Sequence, residues 1–155
     1  MRILVLLVSH GVTLALGFAL GVYFLPILIA PPAPEASLLQ QIEQNALYTA
    51  TIKENLKGSD TLHWGEGTFH INTDKVAFTG TLAPGPDYRV YLVPEFVETE
   101  AQFLDIKSGS QYLGDVKSFD GFIVSIATTV QLKNYTTIIV WCETFGEFIT
   151  AAKFR

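Results

Sequence analysis

From Ile3 to Pro34 the chain carries no charged residue, and 21 of the 28 residues at 3–30 are apolar. A helix over that span would reach about 42 Å at ~1.5 Å per residue, more than the ~30 Å hydrocarbon core of a bilayer. A secretory signal peptide has an apolar region of only about 7–15 residues before its small-residue cleavage site. Here Ala30 and Ala33 are each followed by proline, and a cut after Ala36 would have Pro34 three positions before it. The stretch therefore reads as an uncleaved single-pass anchor over residues 1–30. Arg2 and the terminal amine precede it, and only Glu35 and Glu43 follow before Lys53. The positive-inside rule then puts the N-terminus in the cytosol and the remainder outside it, periplasmic or extracellular.

Within the anchor, Gly17 and Gly21 form a G-x-x-x-G pair that lets two helix backbones approach closely, an expected homodimer contact, although small residues are common in membrane helices anyway. His10 lies near the cytosolic end, and nothing beside it suggests a proton relay. The sequence Ala30-Pro31-Pro32-Ala33-Pro34 cannot continue a helix and forms a stiff spacer. Ser37 followed by Gln40 reads as a capping box, and Leu39, Ile42 and Ala46 recur at helical spacing, which predicts a short helix over 38–46. Spacer and helix together occupy 31–47, and 48–155 form the domain.

That domain is long enough for one core and too short for two. With 10 Lys+Arg against 15 Asp+Glu and no basic run, a nucleic-acid-binding surface is excluded. From Tyr48 the period becomes two: Tyr48, Ala50, Ile52 and Leu56 share one face, Thr49, Thr51, Lys53 and Asn55 the other. Short apolar or alternating runs follow at 67–72, 75–82, 88–93, 121–127, 136–142 and 147–154, separated by Gly, Pro, Asn and Asp. About seven strands at this spacing predict an antiparallel β-sandwich or flattened barrel. The run Ile138–Cys142 is apolar on both faces and should be a central strand, with Cys142 at its end on the face of Ile138 and Val140. Glu95–Asp105 holds four acids and no base and reads as a solvated loop, although 98–105 is also the one stretch with room for a second helical period.

Cys142 is the only cysteine, so no internal disulfide can form. Outside the cytosol an exposed lone thiol is lost to oxidation, so Cys142 has to be buried, liganded or reactive. As a buried residue it would be a small hydrophobe. Glu143 beside it would raise its pKa. His63-Trp64-Gly65-Glu66-Gly67 offers an imidazole, an indole and a carboxylate that could poise a thiolate, with the glycines reading as turn residues and Trp64 as a core plug. His63 and His70 are seven apart and on one continuous strand would face opposite sides, which disfavours a two-histidine metal site. Met1 is the only methionine, so His/Met haem ligation is excluded, and no haem-attachment, hydrolase, zincin, P-loop or dinucleotide motif is present. Pro84-Gly85-Pro86-Asp87 reads as a tight turn feeding a strand.

LHWGEG at 62–67, PGPDYRVYLVPEF at 84–96, LGDVKSFDGF at 113–122 and VWCETFGEFITAAKFR at 140–155 together resemble the DM13 family, also called electron-transfer DM13, over roughly 48–155. The resemblance implies a β-sandwich-like exported domain whose hallmark is a cysteine after tryptophan, here Cys142 after Trp141. It implies a redox role through the naked thiol or a prosthetic group such as haem, with a redox or protein partner that the sequence does not name. Carried over by position, Cys142 is the motif cysteine, His63 the motif histidine, Trp141 a flanking cofactor contact, and Gly85-Pro86-Asp87 the turn. Many members have a proline after the strand matching 122–126, where this chain has Ala127. The alternative of a different class is a non-catalytic binding or adhesion module in which Cys142 is packing; fold likeness alone does not choose between them.

Overall fold

The computed structural model describes residues 1–53 and 55–155. Helix α1 (Arg2–Ile29) is followed by α2 (Ala36–Gln44), then β1 (Tyr48–Thr51), β2 (Gly65–Ile71), β3 (Lys75–Leu82) and β4 (Tyr88–Val93). Helix α3 (Glu100–Ile106) precedes β5 (Gln111–Val116), β6 (Phe122–Ser125), β7 (Thr137–Cys142) and β8 (Glu147–Lys153). The strands form two antiparallel sheets of four, in the orders β1-β2-β3-β6 and β5-β4-β7-β8, stacked as a sandwich. At the sandwich's open sides β5 lies against β6 and β1 against β8.

Alternation builds the inner layer. Phe69, Ile71, Val76, Phe78, Phe122 and Val124 of the first sheet face Val90, Leu92, Ile138, Val140 and Ile149 of the second, and each is nearly or wholly buried. Burying one such side chain contributes about 1.5–3 kcal/mol. The second sheet is covered on its other face too, where Tyr91, Ile139, Trp141 and Phe148 pack with Leu56, Val97 and Phe103. That double cover is why all six residues of β7 are buried, as its two-faced apolar run predicts.

Several local readings are corrected. Helix α2 begins at Ala36, with Glu35 after Pro34 in the cap position and no side-chain cap, so Ser37 falls inside the first turn and forms no capping box with Gln40. The strand from Tyr48 ends at Thr51, although Leu56 is still buried beyond it. Among the described residues there are eight strands, and β5 corresponds to none of the predicted runs. Glu95–Asp105 is not simply a solvated loop, because α3 uses Thr99 as its cap and seats Phe103 in the outer layer with no exposed surface. Gly65 and Gly67 are strand residues of β2, and Gly67 (φ 147°) lies opposite Gly80 (φ 148°), where a Cβ on either would overlap the other strand's backbone.

Helix α1 has 28 residues, a mean hydropathy of 2.3 over its most apolar window, and length enough to cross a membrane. Its surface is almost wholly exposed, and a Cβ at Gly17 or Gly21 would meet nothing within 4 Å. Its C-terminal half lies against the end of the sandwich that carries Gly85 and Pro86.

Candidate functional site

Cys142 ends β7 opposite Tyr88, the first residue of β4. The chain then turns at once into β8: the Gly146 amide donates to the Cys142 carbonyl at 3.0 Å, and Gly146 takes φ 69°, a left-handed conformation that glycine adopts without strain. Asp87 clamps this turn, its carbonyl accepting from the Glu143 amide at 2.9 Å and its carboxylate from the Thr144 hydroxyl at 2.9 Å. The Pro84–Asp87 turn and the β7–β8 turn are thereby joined around the sulfur.

Cys142 is 3% exposed. Burial pushes its thiol pKa up, backbone amides of Phe145, Asp87 and Thr144 directed at the sulfur pull it down, and the Asp87 charge adds to the rise. The raised side wins, so the group rests as a thiol. The sequence-based expectation that Glu143 does this is corrected. Glu143 turns to the outer face, where its carboxylate accepts from Tyr91 Oη at 3.0 Å and Lys107 Nζ at 2.6 Å. Burial and this bond push Tyr91 up to about 12.

A cavity of about 310 Å³ opens beside the sulfur, lined by His63, Pro86, Tyr88, Cys142 and Phe145 from the domain and by Phe18 and Tyr23 from α1. His63 precedes β2, so it shares no strand with His70; it is held in a turn in which Asp60 accepts its ring Nδ1–H at 3.0 Å and the Leu62 and His63 amides at 2.7 Å each. That bond is the main reason Asp60 sits below the usual carboxylate range. His63 thus shares the cavity with Cys142 without hydrogen-bonding it. His70 is buried on β2 with Nε2 against Thr79 Oγ1 at 3.3 Å.

Trp141 points the other way. It is 1% exposed in the outer layer, 4.8 Å from Phe103 and under Lys107 Nζ at 5.5 Å, and does not line the cavity. Trp64 is 37% exposed, so the core-plug expectation is corrected: it stands just before β2 begins at Gly65 and belongs to no buried cluster. Sequence reasoning missed Tyr88, whose cross-strand pairing with Cys142 depends on a register that no local pattern shows. Its ring packs on Gly85, where a Cβ would overlap it. Gly85→Ala is therefore expected to lower stability by about 1–3 kcal/mol through overpacking and to speed alkylation of Cys142 in the folded protein as the ring moves off the cavity. An unchanged alkylation rate would show that the turn does not gate the thiol.

The residues around Cys142 do not fit a haem. The cavity is at the small end of the range for small-molecule sites. No lysine or arginine lines it to meet propionates. Among the described residues no group of three or more His, Cys, Asp or Glu side chains could hold a metal ion.

Two antiparallel sheets, with a single thiol closing the inner core at one end beside a small apolar cavity, define a β-sandwich thiol domain. The family model "Electron transfer DM13" matches residues 55–154, and the chain belongs to that family. No curated protein and no solved structure matches it.

Proposed function

We propose that this is a membrane-anchored, extracytoplasmic electron-transfer domain whose redox group is the Cys142 thiol, with His63 as its neighbouring imidazole. The observation that carries the reading is the position of the chain's only thiol: a member of an electron-transfer family holds it against a cavity, within reach of three backbone amides that stabilise a thiolate. A single thiol cannot close a disulfide within its own chain, so exchange runs through a partner's sulfur or an outside electron acceptor.

The test is thiol reactivity in the folded full chain. Cys142 is expected to react with an alkylating reagent slowly at neutral pH, and faster as pH rises past the ordinary thiol range, since a raised pKa leaves little thiolate below it. His63→Ala is expected to slow the reaction severalfold. The reading fails if Cys142 is inert until denaturation and Cys142→Ser costs only the ~1–3 kcal/mol of an unpaired buried hydroxyl. The burial of the sulfur, 3% exposed, favours that second reading, a binding or adhesion module with Cys142 as packing.

The anchor and its orientation belong to the same proposal, supported by the length and apolarity of α1 and by Arg2 before it. Membranes are expected to retain the protein through alkaline carbonate washing, and protease added on the non-cytosolic side to digest residues beyond 36. A soluble form lacking the first 36 residues would instead identify a cleaved signal.

A further inference from the structure

The cavity beside Cys142 contains a polar group that the redox reading leaves unused. Tyr88 is 2% exposed, lines the cavity, and its hydroxyl makes no hydrogen bond to any described residue. A hydroxyl on a cavity wall with no partner from the chain is free to donate to an acceptor from outside it. His63 is the second polar group on the wall, its Nδ1 committed to Asp60 and its other ring nitrogen left for a ligand. The other walls are flat and apolar: Pro86 and Phe145 of the domain, the latter 51% exposed, and Phe18 of α1.

From this arrangement we infer that the Cys142 cavity is a binding site for a membrane-soluble ring carbonyl of the quinone class, with Tyr88 Oη donating to one ring oxygen. The observations select that class over others. About 310 Å³ suits a single substituted ring and little more. Two separated polar groups on otherwise apolar walls suit a flat molecule with polar atoms at its edge, and no cation is present to hold a carboxylate or phosphate. Entry is from the lipid side. Crossing ~30 Å takes about 20 of the 28 residues of α1, so Phe18 and Tyr23, near the end of that count, stand at the outer boundary of the hydrocarbon, and the cavity they close lies at the same level. The choice of an electron-carrying ring rests on the redox reading; the unpartnered hydroxyl and apolar walls do not.

The experiment uses the full chain in phosphatidylcholine nanodiscs with tetramethyl-benzoquinone, whose ring has no free position for thiol addition. In a Trp64→Phe background Trp141, adjacent to Cys142, is the only indole, and its emission is the readout. Quenching is expected to saturate with quinone, and the same quinone to slow alkylation of Cys142. Tyr88→Phe is expected to raise the half-saturating concentration about fivefold to tenfold, the worth of one hydrogen bond. Phe145→Ser, at an exposed position that the fold does not need, is expected to weaken binding as well, which covers the case of a Tyr88 variant that does not fold. Non-saturating quenching that is equal in the wild type and both variants would overturn the site. Displacement of the quinone by methyl laurate at equal concentration would overturn the ligand class in favour of acyl esters. Saturable quenching beside an inert thiol would defeat the redox reading alone; a reactive thiol without saturable quenching would defeat this inference alone.

Discussion

Gly80→Ala is expected to destabilise the domain by more than about 3 kcal/mol, enough to leave much of the chain unfolded at 37 °C. Gly80 and Gly67 face each other across β2 and β3, both with φ near 150°, and a Cβ on Gly80 would overlap the Glu66 carbonyl and crowd Gly67 Cα. Neither obstacle is a side chain that can swing aside. The strands would have to part, and Phe69 and Phe78, whose tilted rings lie 4.8 Å apart beside this pair, would part with them. Gly109→Ala is the matched control, because a Cβ there meets nothing within 4 Å. Urea denaturation of the full chain in detergent measures both; similar midpoints would show that the sheet yields at this crossing.

The second large effect is expected from Trp141→Ala, at about 3–5 kcal/mol. Trp141 is among the largest fully buried side chains and holds α3 to the second sheet through Phe103. Its indole N–H has no hydrogen-bond partner, so Trp141→Phe removes an unmet donor along with the lost volume and is expected to cost much less than the alanine change. Equal losses in the two variants would show that the indole edge carries a bond after all.

Where the sequence was legible, two faces of a strand were being read at once. The runs at 75–82 and 88–93 coincide with β3 and β4, and the two-faced run ending at Cys142 identified the central strand and put the thiol on the inner face. What failed had a common cause in context. Strand β5 is an edge with Gly114 and Asp115 in it, residues that strands avoid, so its propensity is weak and its neighbour β4 supplies the pairing. Helix α3 was legible in principle. Thr99 accepts the Gln102 amide at 3.4 Å, and the Gln102 side chain accepts the Glu98 amide at 2.9 Å, so the T-x-x-Q pattern lay here and not at Ser37. At the site, composition could single out Cys142 and His63, but Tyr88, Pro86 and Phe145 reach the same cavity through strand register and two joined turns, which no window of sequence contains.

The meeting of β5 with β6 and of β1 with β8 bears on how such a domain survives at high local density. Where copies of a domain crowd together, a bare strand edge is an invitation to pair with a neighbour and grow into an aggregate. Here each sheet's outer strands turn toward those of the other sheet, and β1 and β6 are only four residues long. Little straight, unpaired backbone is left for a second copy to extend, which leaves side chains and loops, instead of added strands, for contacts between copies.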